Sequence, residues 1–85
     1  GLFRAAIVES GGAETAVTAD RAAEMTRQFV AELPEGGAAG LLSLPPAVLL
    51  AAQNRFSRKW NRKYPFRAVV DGQTLPHLPL ASMRE

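Results

Sequence analysis

The chain has 85 residues, of which 47% are hydrophobic and 21% are charged, with a formal net charge of +2 and no cysteine. This balance is typical of folded proteins and argues against a disordered chain, while the lack of cysteine excludes disulfide frameworks and thiolate metal sites. The first residues show no basic segment followed by an apolar run, so no signal peptide is predicted. No run of about 18 apolar residues occurs, so no membrane span is predicted.

The first half of the chain predicts one strand and one helix. The apolar run Ala5-Ala6-Ile7-Val8 ends shortly before a glycine pair, and a run of this length bounded by glycine is typical of a buried strand near residues 5–9. A helix over about 18–33 follows, with Thr18 as its cap, because apolar residues recur there at steps of three and four. Proline and the pair Gly36-Gly37 are expected to end this helix.

The second half predicts a longer helix and a second strand. The helix covers about 45–62, since the pair Pro45-Pro46 is tolerated in a first turn. A strand near 66–70 runs into the turn residues Asp71-Gly72. Residues 80–83 have the pattern of the first turn of another helix.

The order strand, helix, helix, strand indicates the α/β fold class. The two predicted strands have no neighbours to pair with, although strands of an α/β sheet need them. The chain also begins on glycine and opens directly on apolar residues. We therefore expect residues 1–85 to be a single segment, an internal piece of a larger α/β domain.

Positive charge is concentrated late in the chain. Residues 55–85 carry seven basic and two acidic side chains, whereas 1–54 carry three basic and six acidic ones. Five of the bases lie from Arg55 to Lys63, interleaved with Phe56, Trp60 and Tyr64. This pattern is compatible with nucleic-acid binding, because cations neutralise phosphates and rings stack on bases. Rings four residues apart also form one helical face, so we favour rings packed inward and cations exposed to solvent.

Three stretches resemble one enzyme family. "GLFRAAIVESGGA" resembles the stretch that follows the nucleophile elbow in type-B carboxylesterases, the family of para-nitrobenzyl esterases and cholinesterases. "LLSLPPAVLLAAQ" and "PFRAVVDGQTLPHLPLASM" are similar to two later stretches of that family, with Ala68 at a position that is usually proline. The three motifs occur in the family's order and together cover about half of the chain, which makes the resemblance specific.

The resemblance implies an α/β-hydrolase fold and hydrolysis of carboxylic esters by a serine, acid and histidine triad. In the family the elbow precedes the first of these stretches, and the acid and histidine follow the last, so this chain is expected to contain no catalytic residue. Ser10 does not fit an elbow, which needs small residues two positions before and after the serine, because Val8 occupies the first of these positions. The isolated chain is therefore expected to be inactive.

The resemblance also implies what this segment contributes to the complete enzyme. Ser10 corresponds to a buried serine behind the nucleophile, and Val17, Tyr64 and Phe66 correspond to positions near the acyl side of the substrate gorge. Two simpler interpretations remain open: Ser10 satisfies backbone groups at a strand end, and Phe66 is a core residue.

A triad built within the chain from Ser10, His77 and Asp71 or Asp20 is not predicted. His77 lies between prolines, which is typical of a surface loop, and Asp71 precedes glycine as a turn residue does, with its carboxylate accepting bonds from nearby backbone N–H groups. No metal-ligand spacing occurs, and the glycine-rich stretch 36–40 lacks the lysine and hydroxyl residue of a phosphate loop. We expect no metal and no cofactor.

The sequence therefore predicts a segment of a serine carboxylesterase. Its expected partners are an ester substrate, bound through the complete enzyme, and the rest of the hydrolase domain, with self-association of the isolated segment also expected and neither nucleic acid nor membrane. Two alternatives of other classes are a small helical protein-interaction module without catalysis and a basic nucleic-acid-binding piece.

Overall fold

The computed structural model describes residues 1–34, 37–62 and 64–84. The chain combines helices with one small parallel sheet, which agrees with the predicted α/β class at this coarse level. The elements, in chain order, are a 3-10 turn at Ala13–Thr15, β1 at Ala16–Val17, α1 at Ala19–Val30, α2 at Gly37–Gly40, α3 at Pro46–Lys59, β2 at Ala68–Val69 and α4 at Pro79–Arg84. None of the described helices is long and apolar enough to cross a membrane.

The chain divides into two compact units. The sheet unit consists of residues 1–19 together with the chain from Arg67 onward, and the helical unit consists of Asp20–Phe66. In sequence, the helical unit is thus inserted between the two parts of the sheet unit.

Helix α1 confirms the first predicted helix, although it is shorter. It starts directly after Thr18 and buries Met25. It ends at Val30 because the chain then tightens: the backbone N–H of Leu33 donates to the carbonyl of Val30 at 3.0 Å, a three-residue step rather than the four-residue step of an α-helix. Of the glycines expected to end it, Gly36 lies outside the described residues and Gly37 starts α2.

Helix α3 confirms the second predicted helix and its proline start, since Pro46 is the first helical residue. Its end at Lys59 corrects the predicted end at 62. The backbone N–H of Trp60 still donates to the carbonyl of Phe56 at 2.9 Å, but Trp60 itself has an extended conformation. Tyr64 therefore does not continue the helical face of Phe56 and Trp60, and the expectation that its ring packs inward was wrong because 72% of the residue is exposed.

The core of the helical unit is aromatic. Phe56 is only 1% exposed and forms a buried cluster with Met25 and Trp60, against which Phe29 packs. The ring centres of Phe29 and Phe56 are 5.9 Å apart in an edge-to-face arrangement, and those of Phe56 and Trp60 are 5.4 Å apart. These are favourable aromatic geometries, so the spacing of four along α3 serves packing.

The sheet unit is held by one short parallel pair. Ala16 pairs with Ala68 and Val17 with Val69, and the backbone N–H of Val70 donates to the carbonyl of Val17 at 2.9 Å. The strand predicted near 66–70 is thus confirmed, at reduced length, as β2. Its partner β1 was not predicted, because a two-residue strand is too short to show periodicity.

The predicted strand near 5–9 was wrong. Residues 5–8 have no regular secondary structure, and Ile7 and Val8 are 92% and 60% exposed. A strand is stabilised only when its backbone groups pair with a neighbouring strand. Within the described residues the two-stranded sheet consists of β1 and β2 alone, so this apolar run has no partner.

Candidate functional site

Ser10 lies in an open hollow of the sheet unit. The hollow has a volume of ≈ 430 Å³, and its walls include Val8, Gly12 and Glu14 from the N-terminal part and Leu80 and Met83 from α4. Ser10 is exposed, and within the described residues its hydroxyl makes no hydrogen bond. In the described chain Ser10 therefore does not bond to backbone groups at a strand end, while its place behind the nucleophile of a complete enzyme stays a prediction.

The described residues do not form a catalytic arrangement of nucleophile, base and acid. The Oδ1 atom of Asp71 accepts hydrogen bonds from the backbone N–H groups of Gln73 and Leu75, both at 2.9 Å. These bonds, that of Leu75 first, lower the pKa of Asp71 below its ordinary value of 3.8. The prediction that Asp71 serves as a turn residue is confirmed, and Gly72 supports the turn with a φ of +79°. His77 is exposed and makes no hydrogen bond among the described residues, so nothing orients it toward Ser10.

Val17 is half-buried in β1, where it pairs with Val69. The start of this strand is supported by Arg67, whose Nη1 donates to the carbonyl of Glu14 at 3.1 Å. Val17 thus belongs with Ser10 to the sheet unit, whereas the other two candidate pocket residues, Tyr64 and Phe66, belong to the helical unit.

Tyr64 combines exposure with an unusual backbone. Its φ is +54°, and it is the only residue other than glycine with a positive φ in the described chain. A bulky residue in this region is strained by about 1–2 kcal/mol relative to the right-handed region. Such strain is concentrated at functional positions in proteins, which is compatible with a role for Tyr64 beyond packing.

Phe66 is half-exposed, and one side of its ring is packed against the aromatic core. Its centre lies 5.5 Å from that of Phe56 and 6.0 Å from that of Phe29. Its remaining surface is open, with 52% of the residue exposed. Phe66 is therefore anchored by the core and could present one face to a ligand.

An ion-pair cluster around Glu32 was not predicted from sequence. Lys59 donates to Glu32 Oε1, and Arg55 Nε lies 3.4 Å from Oε2. The hydrogen bond from Lys59 is the largest of the contributions that lower the pKa of Glu32 below its ordinary value of 4.5. The i, i+4 spacing of Arg55 and Lys59 indicates that the two cations lie on one face of α3. It does not reveal their partner, because Glu32 lies 23 and 27 residues away in the sequence.

The ion pairs around Glu32 change how the basic stretch from Arg55 to Lys63 is interpreted. Two of its five cations, Arg55 and Lys59, are paired with Glu32, while Arg58 and Arg62 are exposed and Lys63 lies outside the described residues. The paired cations join α3 to the turn that follows α1, so these two charges stabilise the fold. The stretch therefore offers a phosphate backbone fewer free cations than its sequence suggests.

The described residues contain no group of three or more acidic or histidine side chains that could hold a metal ion. Comparisons of the chain with protein-family models, with curated proteins and with solved structures find no match. The described residues form structural features: a turn ordered by the carboxylate of Asp71, a parallel strand pair, and an aromatic core against which the half-exposed ring of Phe66 packs.

Proposed function

We propose that the chain is an internal segment of a type-B carboxylesterase and supports the acyl side of the ester-binding gorge, with the catalytic triad supplied by the rest of the protein. The observation that carries this proposal is the occurrence of three family-like stretches in the family's order along the chain. The parallel pairing of β1 and β2 across a helical connection supports an α/β setting, because parallel strands require a crossover of a dozen or more residues, usually helical.

The proposed chemistry belongs to the complete enzyme. A serine at the elbow attacks the ester carbonyl, backbone N–H groups hold the oxyanion, and water then hydrolyses the acyl-enzyme. Val17, Tyr64 and Phe66 contribute to the wall around the acyl chain, and Ser10 lies behind the nucleophile. Ala68 departs from the proline usual in the family, and this alanine keeps a backbone N–H that proline lacks.

The deciding experiment is to sequence the encoding DNA on both sides of this segment. We expect a Gly-x-Ser-x-Gly motif shortly before Gly1, and an acidic residue and a histidine well after residue 85. The complete protein should hydrolyse para-nitrophenyl esters, and replacing the elbow serine with alanine should abolish the activity. Flanking sequence without an elbow, or a complete protein without esterase activity, would refute the proposal.

The 85-residue chain provides a second test. We expect it to hydrolyse para-nitrophenyl acetate at the rate of buffer alone, and the Ser10→Ala variant to do the same, because Ser10 has no base bonded to its hydroxyl in the described chain. A burst of nitrophenol that disappears in Ser10→Ala would instead identify Ser10 as a nucleophile.

A second candidate function, a helical interaction module, is favoured by one observation. The helical unit has its own buried cluster of Met25, Phe56 and Trp60 and its own ion pairs around Glu32. Thermal unfolding of the 85-residue chain separates the two candidates: a sharp, cooperative transition of a monomer favours a self-sufficient module, whereas broad melting favours a segment that needs the rest of a domain.

A further inference from the structure

The sequence contains one aspartate or asparagine that is followed by glycine, in the pair Asp71–Gly72. Such a pair is chemically labile, because glycine has no side chain to hinder attack by its backbone nitrogen on the carboxyl carbon of the aspartate. The N–Cγ bond forms, one Cγ–O bond of the protonated carboxyl group breaks, and the oxygen leaves as water with the amide proton. Water then opens the resulting succinimide ring at either carbonyl, which yields aspartate or isoaspartate.

The fold holds both reacting groups of this pair in hydrogen bonds. Oδ1 of Asp71 accepts from the backbone N–H groups of Gln73 and Leu75, both at 2.9 Å. The backbone N–H of Gly72, whose nitrogen is the attacking atom, donates to the carbonyl of Leu75 at 3.4 Å. Ring closure moves the carboxyl carbon onto the Gly72 nitrogen and removes the proton that this nitrogen donates, so the bonds of the turn oppose it.

The charge of Asp71 opposes ring closure as well. The reaction proceeds through the protonated carboxyl group, since a carboxylate is a poor electrophile. The backbone bonds from Leu75, first, and from Gln73 stabilise the carboxylate and lower the pKa of Asp71. The turn thus reduces the share of the reactive, protonated form.

Burial does not protect the pair. Asp71 and Gly72 are both exposed, so water reaches them. A Cβ atom placed on Gly72 would have no atom of the described chain within 4 Å, its immediate neighbours aside. Any protection therefore comes from the hydrogen bonds of the turn.

We propose that Asp71–Gly72 is the site of isoaspartate formation in this chain, and that the turn closed by the N–H groups of Gln73 and Leu75 suppresses the reaction until it opens. The turn comes directly after β2, which is only two residues long. In isoaspartate the main chain runs through Cβ and is one carbon longer, so the turn cannot re-form with the same bonds. This inference concerns the chain itself and does not rest on the proposed esterase function.

The test measures isoaspartate during incubation near neutral pH, by proteolysis and electron-transfer fragmentation of the peptides that contain Asp71 and Asp20, the other aspartate. Three chains are compared in buffer and in guanidinium chloride. They are the wild type, Gln73→Pro, which lacks one of the two N–H donors, and Gln73→Ala, which keeps that donor and changes the same exposed side chain.

In denaturant we expect equal rates in the three chains, with isoaspartate forming faster at Asp71 than at Asp20. In buffer the wild type and Gln73→Ala should react about tenfold more slowly than in denaturant, because only the open turn reacts. Gln73→Pro should react about three- to tenfold faster in buffer than Gln73→Ala, since one hydrogen bond to the carboxylate is lost.

Three results would overturn the inference: equal wild-type rates in buffer and denaturant, a Gln73→Pro variant that reacts no faster in buffer than Gln73→Ala, or a faster reaction at Asp20 than at Asp71 in denaturant. Fluorescence of Trp60 checks that Gln73→Pro keeps the aromatic core, and if it does not, the wild-type comparison decides alone. None of these results bears on the flanking sequence or the esterase assay, so the two proposals fail separately.

Discussion

Arg55 contacts Glu32 at two points, through a 2.7 Å hydrogen bond from Nη2 to the backbone carbonyl and through Nε, which lies 3.4 Å from the carboxylate. The carbonyls near the end of a helix lack partners within that helix, and a cation there is also favoured by the helix dipole. Together with Lys59, Arg55 therefore joins the middle and end of α3 to the turn that follows α1.

We expect Glu32→Gln to lower the melting temperature at neutral pH, because Arg55 and Lys59 would remain close together without the anion between them. Since the folded pKa of Glu32 lies below its ordinary value of 4.5, this carboxylate stabilises the fold above that pH and its contribution is lost as pH falls through the folded pKa. The wild type and Glu32→Gln should therefore converge in stability in acid. Glu24→Gln, a carboxylate change within α1, is the matched control, and an equal effect there would show that general charge balance is responsible.

Gly37 should not tolerate alanine. A Cβ atom placed there would lie 2.3 Å from the Cβ of Leu33, which is a buried residue and cannot rotate this atom away. We expect Gly37→Ala to cost about 1–3 kcal/mol in the free energy of unfolding measured with urea. Gly40→Ala is the control in the same short helix, because its Cβ would find only Ser43 Oγ at 3.7 Å, and we expect it within about 1 kcal/mol of wild type. Equal stability of both variants would contradict the close contact.

Truncating a buried ring of the aromatic core should reduce stability more than truncating a half-exposed one. Phe56→Ala removes the largest fully buried side chain and should cost about 3–5 kcal/mol, a large part of the stability of a small protein. Phe66→Ala removes a half-exposed ring with two ring contacts, each worth about 0.5–1.5 kcal/mol, so its effect on denaturant unfolding should be smaller. A loss at Phe66 equal to that at Phe56 would mean that Phe66 is a central core residue.

The backbone of Tyr64 predicts that glycine is more stabilising than alanine at this position, the reverse of the usual order. At a φ of +54° any L-residue is strained by about 1–2 kcal/mol and glycine is not, so Tyr64→Gly should be more stable than Tyr64→Ala. Both variants lack the ring, so its contacts cancel in the comparison. At the exposed α3 position Gln53 the same pair should show the ordinary order, with alanine favoured by about 1 kcal/mol. Thermal melts of the four variants decide, and the ordinary order at both positions would contradict the left-handed backbone.

The proposed acyl wall makes a kinetic prediction for the complete enzyme. Truncating Tyr64 or Phe66 to alanine should enlarge the pocket, and each additional methylene that is then buried is worth about 0.8 kcal/mol, roughly a fourfold change in preference. We expect kcat/KM to shift from acetate toward butyrate and hexanoate esters, with acetate turnover little affected because the triad and oxyanion hole are untouched. A chain-length profile that both variants leave unchanged would refute the pocket role of these residues.

Periodicity and helix-boundary residues were sufficient to predict α1, α3, β2 and the Asp71 turn. These features depend on neighbours within a few residues, such as Pro46 at the start of α3. The failed predictions concerned partners distant in sequence. An apolar run becomes a strand only if another strand lies beside it, which the residues near Ile7 do not reveal by themselves. The Glu32 cluster likewise depends on how two segments distant in sequence pack together. The spacing of four places Tyr64 on the same helical face as Phe56 and Trp60, but α3 ends at Lys59, before Tyr64 is reached.

The pairing of Ala16 with Ala68 joins positions 52 residues apart in the chain and involves strands of only two residues each. Closing so long a loop costs conformational entropy, and so short a ladder returns few hydrogen bonds. Local contacts in α1 and α3 meet no such cost, so the helices should fold first and the strand pair should form last and open first. In native-state hydrogen exchange, the amide of Val70, which bonds to Val17 across the ladder, should therefore exchange well before the amide of Trp60, which bonds to Phe56 at the end of α3.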